Sequence, residues 1–169
     1  LAALADAGIA PAIASGDQSG PVRAAADQLG IATWHAGLSP AGKLELVRKL
    51  QRQGRTVAMV GDGINDSPVL AGADVSIAIG TGTSLAQHAA DCILVGPGLG
   101  PLPAAVAHSR RTMHIVRQNL WWAVAYNLVA VPLAITGVLA PWLAALGMSA
   151  SSLLVTFNAL RLGRVRQEV

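Results

Sequence analysis

The sequence predicts an α/β fold on a parallel sheet, continued by a pair of transmembrane helices. Three observations point there. Up to about residue 97, short apolar runs alternate with helical patterns, the rhythm of a parallel sheet with crossover helices. One such run, TVAMV, leads straight into GDGIND, which sets two carboxylates on a glycine-broken turn. Residues 120–160, by contrast, hold no Asp, Glu, Lys, Arg or His.

The chain of 169 residues carries a formal net charge of +3 and is 53% hydrophobic, averages that conceal this split. The basic excess sits just outside the uncharged stretch, at Arg110, Arg111, His114 and Arg117 before it and Arg161, Arg164 and Arg166 after it. That is not the spread basic face of a nucleic-acid binder, and no aromatic residues interleave with the charges, so nucleic acid is excluded as a partner. The single cysteine, Cys92, excludes an internal disulfide and a multi-cysteine metal site; within DCILV it is expected to be a buried core residue. The opening residues show no basic n-region, apolar h-region and cleavage site, so they are not expected to be a secretory signal. The opening LAALADAG reads as the second half of a helix without an initiator Met, so the sequence is expected to be a piece of a longer polypeptide.

The elements follow in order. IAPAIAS is a short strand ending in a polar turn, and PVRAAADQLG a helix with Pro21 in its first turn and Gly30 closing it. IATWHA is a weak strand. SPAGKLELVRKLQRQG is a stronger helix, with Ser39 as N-cap, Pro40 at its first position and Gly54 just past its end. Leu44, Leu46, Val47 and Leu50 give that helix an apolar face. Then come the strand TVAMV, the acidic turn, a short helix through SPVLAG, the strand VSIAI, a helix over residues 84–90 and the strand CILV.

In parallel sheets ligands bind at the carboxyl ends of the strands. Ser15, Gly16 and Asp17 end one strand there, and residues 62–66 end another. Magnesium takes hard oxygen ligands, usually one or two carboxylates with phosphate oxygens and water. Asp62 and Asp66 suit that role, and Gly61 and Gly63 let the backbone turn close to a ligand. Lys43, near the start of its helix, is placed to neutralise a phosphoryl oxygen, with the Ser15 hydroxyl and Gly16 N–H donating to another. Taken alone, Lys43 also reads as a solvated helix charge and residues 15–17 as an ordinary turn.

Residues 120–138 are long enough to cross a bilayer, APW at 140–142 makes a tight break, and residues 142–160 return, as a helical hairpin. Two hydrophobic core helices are the alternative, but so small a soluble domain has little with which to cover them. Arginines flank both outer ends and are absent from the connecting turn, so both ends are expected in the cytoplasm. Polar groups inside such spans are costly unless used. Here they are Tyr126 and Asn127, with Pro132 five residues beyond Asn127, then Met148, Ser149, Ser151 and Ser152. Met148 and Ser152, four apart, share a helix face. A thioether, an amide oxygen and a hydroxyl without charge suit a soft monovalent cation such as copper(I), whereas a zinc path is expected to carry carboxylate or thiolates. Small polar residues that merely glue helices together remain the other reading.

SGD, then Lys43, then VGDGINDSPVLAGADVSIAIGTGT resembles the C-terminal half of the phosphorylation domain of P-type ATPases, a branch of the haloacid-dehalogenase-like fold. YN in the first span and MSASS in the second resemble the last two spans of the copper-transporting, heavy-metal branch, with RTMHIVRQNLWWAVAYN and FNALRL matching the entry and exit. The resemblance implies Asp62 as magnesium ligand and Asp66 as a second ligand or supporting acid. It also implies Asn65, Lys43, Ser15, Gly16 and Asp17 at the phosphoryl group, and Tyr126, Asn127, Met148 and Ser152 as ligands of transported copper(I) or silver(I). Ser15 stands where threonine is usual, and the hydroxyl is retained. The family's nucleophilic Asp in DKTGT and its Cys-Pro-Cys helix do not occur here, so this stretch alone is not expected to hydrolyse ATP.

The implied organisation is residues 1–100 in the phosphorylation domain, 101–119 as connecting helix, 120–160 as two spans and 161–169 as a cytoplasmic basic tail. The implied setting is a bacterial plasma membrane with residues 1–119 and the C-terminus cytoplasmic. The implied partners are membrane lipid, the N-terminal part of the pump, which binds most of the ATP, and a metallochaperone. Two other readings remain open: a catalytically inactive membrane protein that binds or regulates an intact pump (or a degraded coding sequence), and a membrane-tethered phosphatase. The second lacks a suitably placed nucleophile, since Asp6 and Asp17 have no DxD or DKTGT setting.

Overall fold

The computed structural model describes residues 1–61, 66–80, 90–96 and 98–163. The chain divides into two compact units, Leu1–Pro103 and Ala104–Val169.

The first unit is α/β. It runs α1 (Ala2–Asp6), β1 (Ala12–Ala14), α2 (Ser19–Leu29), β2 (Thr33–His35), α3 (Pro40–Arg52), β3 (Ala58–Gly61), α4 (Ser67–Gly72), β4 (Val75–Ile79) and β5 (Cys92–Leu94). The helix ends behave as their residues dictate. The Ser39 hydroxyl accepts from the Gly42 N–H at 3.1 Å, Pro40 opens α3, and Gly30 closes α2 in the left-handed region. All strand pairs are parallel: β1 with β2, β3 with β4, and β4 with β5. Among the described residues they form two sheets, β1-β2 and β3-β4-β5, so β1 and β3 each keep one unpaired edge.

Ser76, Ile77 and Ala78 of the central β4 are buried in succession, as expected of a parallel strand covered on both faces. Val22 and Ala26 of α2, Val47 of α3 and Val69 and Leu70 of α4 complete the core. The Leu44 side chain lies against Gly72, and the Gln51 Nε2 donates to the Gly72 carbonyl at 3.1 Å, locking α3 onto α4.

Two expectations change here. The strand expected from Thr56 begins at Ala58 and runs on to Gly61, while the Val57 N–H donates to the Asp74 carboxylate at 2.8 Å. Cys92, expected in the core, is exposed, because β5 is an edge strand from which Leu94 alone is buried. The helix expected over residues 84–90 falls outside the described residues except at Ala90.

The second unit is a helical hairpin. Helix α5 (Leu102–Ile135) is continuous for 34 residues, and α6 (Pro141–Leu160) for 20. Pro132 lies inside α5; lacking an N–H, it leaves the Leu128 carbonyl without its helical donor. The stretch expected as the first span thus ends its helix at Ile135, with a turn beyond it at Gly137. Three contacts between α5 and α6 run in opposite directions along the two helices. Asn119 meets Asn158, Trp122 meets Ser151, and the Tyr126 hydroxyl abuts Gly147. Among the described residues, α6 is the helix long and apolar enough to cross a membrane, with mean hydropathy 1.6 and none of that window buried.

Candidate phosphoryl and cation sites

The turn after β1 is held by backbone bonds. The Ser15 N–H donates to the His35 carbonyl at 2.9 Å, and the Leu38 N–H to the Ser15 carbonyl at 2.9 Å. The Gly37 N–H donates to the Asp17 carbonyl at 2.7 Å. Residues 15–17 are thereby fastened to the segment that leads through Ser39 into α3, the helix that carries Lys43. A Cβ at Gly16 would stand 3.3 Å from the Leu38 carbonyl oxygen, so the close approach of these turns favours glycine there. Ser15 and Asp17 are engaged with each other: the Ser15 Oγ donates to Asp17 Oδ2 at 2.9 Å and accepts from the Asp17 N–H at 3.1 Å.

One turn into α3, the Lys43 Nζ donates to Asp66 Oδ1 at 2.7 Å, with both side chains 15% exposed. That length is typical of a charge-assisted hydrogen bond. Asp66 comes so close to the end of β3 that a Cβ at Gly61 would lie 3.1 Å from its Cβ and 3.3 Å from Oδ2. Glycine at 61 is therefore what admits the Asp66 carboxylate. The structure thus joins two of the residues singled out in the sequence. Asp62 and Asn65 lie outside the described residues.

Two features escaped the sequence reading. Ser67 Oγ, next to Asp66, is buried without a hydrogen-bond partner among the described residues. Ser76 and Asp91 exchange three hydrogen bonds: the Ser76 Oγ and N–H donate to Asp91 Oδ2 at 2.7 and 2.9 Å, and the Asp91 N–H donates to Ser76 Oγ at 2.9 Å. These donors from Ser76 hold the Asp91 carboxyl below its ordinary value of 3.8.

In the hairpin, Tyr126, Asn127, Met148 and Ser152 all line one open groove between α5 and α6. Its floor is small, with Ala123, Ala130 and Ala144 among the lining residues. The Asn127 Nδ2 donates to the Ala123 carbonyl at 2.9 Å, which turns the other amide atom, an oxygen, away from that bond. The neighbouring Ser151 is already engaged, accepting from Trp122 Nε1 at 3.1 Å, while Ser152 has no side-chain partner among the described residues. Missed in the sequence was the amide cluster at the outer end of the hairpin. There the Asn158 Nδ2 donates to Asn119 Oδ1 at 2.8 Å and to Gln118 Oε1 at 3.3 Å, while the Arg161 Nη1 donates to Asn158 Oδ1 at 3.0 Å. Asn158 and Arg161, three apart in FNALRL, were the available signal.

Parallel strands with crossover helices, an aspartate just beyond β3 and a lysine one turn into α3 that meets it fit a haloacid-dehalogenase-like fold, here joined to a helical hairpin. A haloacid dehalogenase-like hydrolase family matches residues 1–74. The copper-exporting P-type ATPase of Staphylococcus aureus (strain JH9) is 47% identical over 165 residues, covering 98% of this chain and 21% of that protein. Among solved structures, a zinc-transporting PIB-type ATPase in the E2.Pi state superposes with a TM-score of 0.89 at 36% identity, over 96% of this chain and 27% of that one. The catalytic domain of the CPx-ATPase CopB-B gives 0.57 at 39% identity, over 60% of this chain and 41% of its own. Over nearly its whole length the chain is similar to P-type ATPases named for copper export and for zinc transport. It spans 21% of the length of the curated relatives it matches.

Proposed function

We propose that this chain is the C-terminal part of an ATP-driven exporter of copper(I), working through an aspartyl-phosphate carried on another stretch of the same polypeptide. The observation that carries the reading is the gathering of Tyr126, Asn127, Met148 and Ser152 around one groove in a hairpin whose residues 120–160 bear no charge. A neutral donor set that includes the Met148 thioether favours a soft monovalent cation, whether copper(I) or the similar silver(I), over zinc(II). The relatives divide on this point, one named for copper and one for zinc. The donor set supports copper, because the groove is lined by a thioether, an amide, a phenol and a hydroxyl, none of them charged.

On the phosphoryl side, Ser15, Gly16, Asp17, Lys43 and Asn65 clamp the phosphoryl oxygens, and electrostatic clamping is where such sites gain most of their rate. The residues present fit magnesium: Asp66 keeps Oδ2 without a hydrogen-bond donor among the described residues, while Lys43 holds Oδ1. Asp62 and Asp66 would hold the ion, which neutralises phosphoryl charge when bound. The unpaired edges of β1 and β3 support a strand from elsewhere in the polypeptide lying between them, since an open edge leaves backbone donors and acceptors unmet. Such a strand would end beside both Ser15 and Asp66 and deliver the nucleophile. ATP is then bound mainly outside this chain.

The arginines flanking the hairpin support residues 1–119 and the C-terminus in the cytoplasm, of a bacterial plasma membrane, with lipid, the rest of the pump and a metallochaperone as partners. The domain plan is the phosphorylation domain over residues 1–100, a connecting helix over 101–119, spans over 120–138 and 142–160, and a basic tail. The test is phosphorylation by ATP of the purified full-length polypeptide. Copper(I) is expected to stimulate it and zinc(II) not, with Asn127→Ala raising the copper(I) requirement at least about tenfold. Stimulation by zinc(II) alone, or an Asn127→Ala protein that behaves as wild type, would reject the copper assignment.

A further inference from the structure

Gly147 stands in the interior of α6, where glycine is less favourable than alanine. Its backbone gives no reason for that cost, since it is absent from the positive-φ glycines. The reason is space. A Cβ at position 147 would lie 2.9 Å from Tyr126 Oη, 3.5 Å from its Cε2 and 3.6 Å from its Cζ. The first distance is closer than a carbon and an oxygen approach without bonding, so the phenol hydroxyl occupies the volume that a side chain would fill. Tyr126 therefore lies across α6 at the residue before Met148. One turn further on, Trp122 fixes Ser151, so the groove wall on either side of Met148 is set by aromatic residues of α5.

We propose that Gly147 is a positioning residue for this groove: by lacking a side chain it fixes the Tyr126 oxygen relative to Met148 and thereby sets the affinity for a soft monovalent cation. The inference rests on the reading of the groove as the cation path. Its energetic signature is unusual. The atom that a Cβ would meet is the far end of a side chain with two rotatable torsions, so Gly147→Ala displaces the phenol without breaking the hairpin. The substitution also gains helix propensity. Affinity falls while stability does not.

The experiment titrates ATP hydrolysis by the purified full-length polypeptide with chelator-buffered copper(I), in wild type, Gly147→Ala, Tyr126→Phe and the double variant. Elution in detergent as a single species reports that each is folded, and Gly147→Ser serves as a second variant at the same position. Gly147→Ala is expected to raise the half-saturating copper(I) about tenfold while retaining the maximal rate, the size of effect seen when a ligand loses its orienting neighbour. In the Tyr126→Phe background the same change should add nothing, because the ring carbons that remain accept a Cβ at ordinary contact distance. Wild-type half-saturation in Gly147→Ala and Gly147→Ser, or full additivity with Tyr126→Phe, overturns the inference while the cation path stands. Unchanged copper dependence in both Tyr126→Phe and Asn127→Ala overturns the cation path, and this inference with it.

Discussion

At the scale of single residues, the ion pair between Lys43 and Asp66 carries the most information. Both side chains are 15% exposed, so the pair is mostly withdrawn from water, and removing one partner leaves the other charge uncompensated. Asp66→Asn is expected to destabilise the packing of α3 on α4 by about 3 kcal/mol, whereas replacing both partners by apolar residues costs less than the sum of the single changes. Hydrogen exchange of the α3 and α4 backbone amides in the full-length polypeptide measures this locally. Unchanged protection in Asp66→Asn would mean that the pair is a surface contact of little weight. The sequence exposed these two residues separately, one as a helix charge and one as the second acid of GDGIND. It did not expose their pairing, because they stand 23 positions apart and meet only once α3 packs on α4.

Elements show a different balance. Asp91, just before β5, accepts twice from Ser76 of β4, so one carboxylate fastens the start of the edge strand to the middle strand. Its folded pKa lies below the ordinary 3.8, so the stabilisation is present above that value and is lost as pH falls through the lower folded pKa. Protection of the Ser76 amide is therefore expected to decline as the medium is acidified below about pH 4, with Asp91→Asn removing that dependence. A Ser76 amide whose exchange, corrected for intrinsic chemistry, ignores pH in the wild type would contradict this. The helices were legible because their ends are written in residue chemistry: Ser39 and Pro40 open α3, and Gly30 closes α2. The strands were less so. An apolar run says that a strand forms but not where it sits in the sheet, so DCILV alone does not reveal that β5 is an edge among the described strands and that Cys92 is exposed. Likewise, no breaker separates residues 101–119 from the span that follows, and the structure makes them one helix, α5.

For the molecule as a whole, the decisive quantity is apolar surface without protein cover. Trp121 is 73% exposed, Leu128 74% and Ile135 81%, and none of the apolar window of α6 is buried. Hydrophobic burial is worth about 25 cal/mol per Å², so a hairpin this bare in water would forfeit much of what holds a domain together. On the proposed function, lipid and the rest of the polypeptide would supply the missing cover, and the arginines outside residues 120–160 would then set the direction of crossing. Two cysteine positions read both statements at once. Native Cys92 is exposed and belongs to the unit expected in the cytoplasm, and Ala140 stands at the turn expected outside. In intact cells expressing the full-length polypeptide, other cysteines replaced, a membrane-impermeant maleimide is expected to label Ala140→Cys while Cys92 reacts only after permeabilisation. The protein should remain with the membranes through alkaline carbonate washing. Labelling of Cys92 in intact cells would invert the orientation, and release by carbonate would mean that another protein surface, rather than lipid, covers the hairpin.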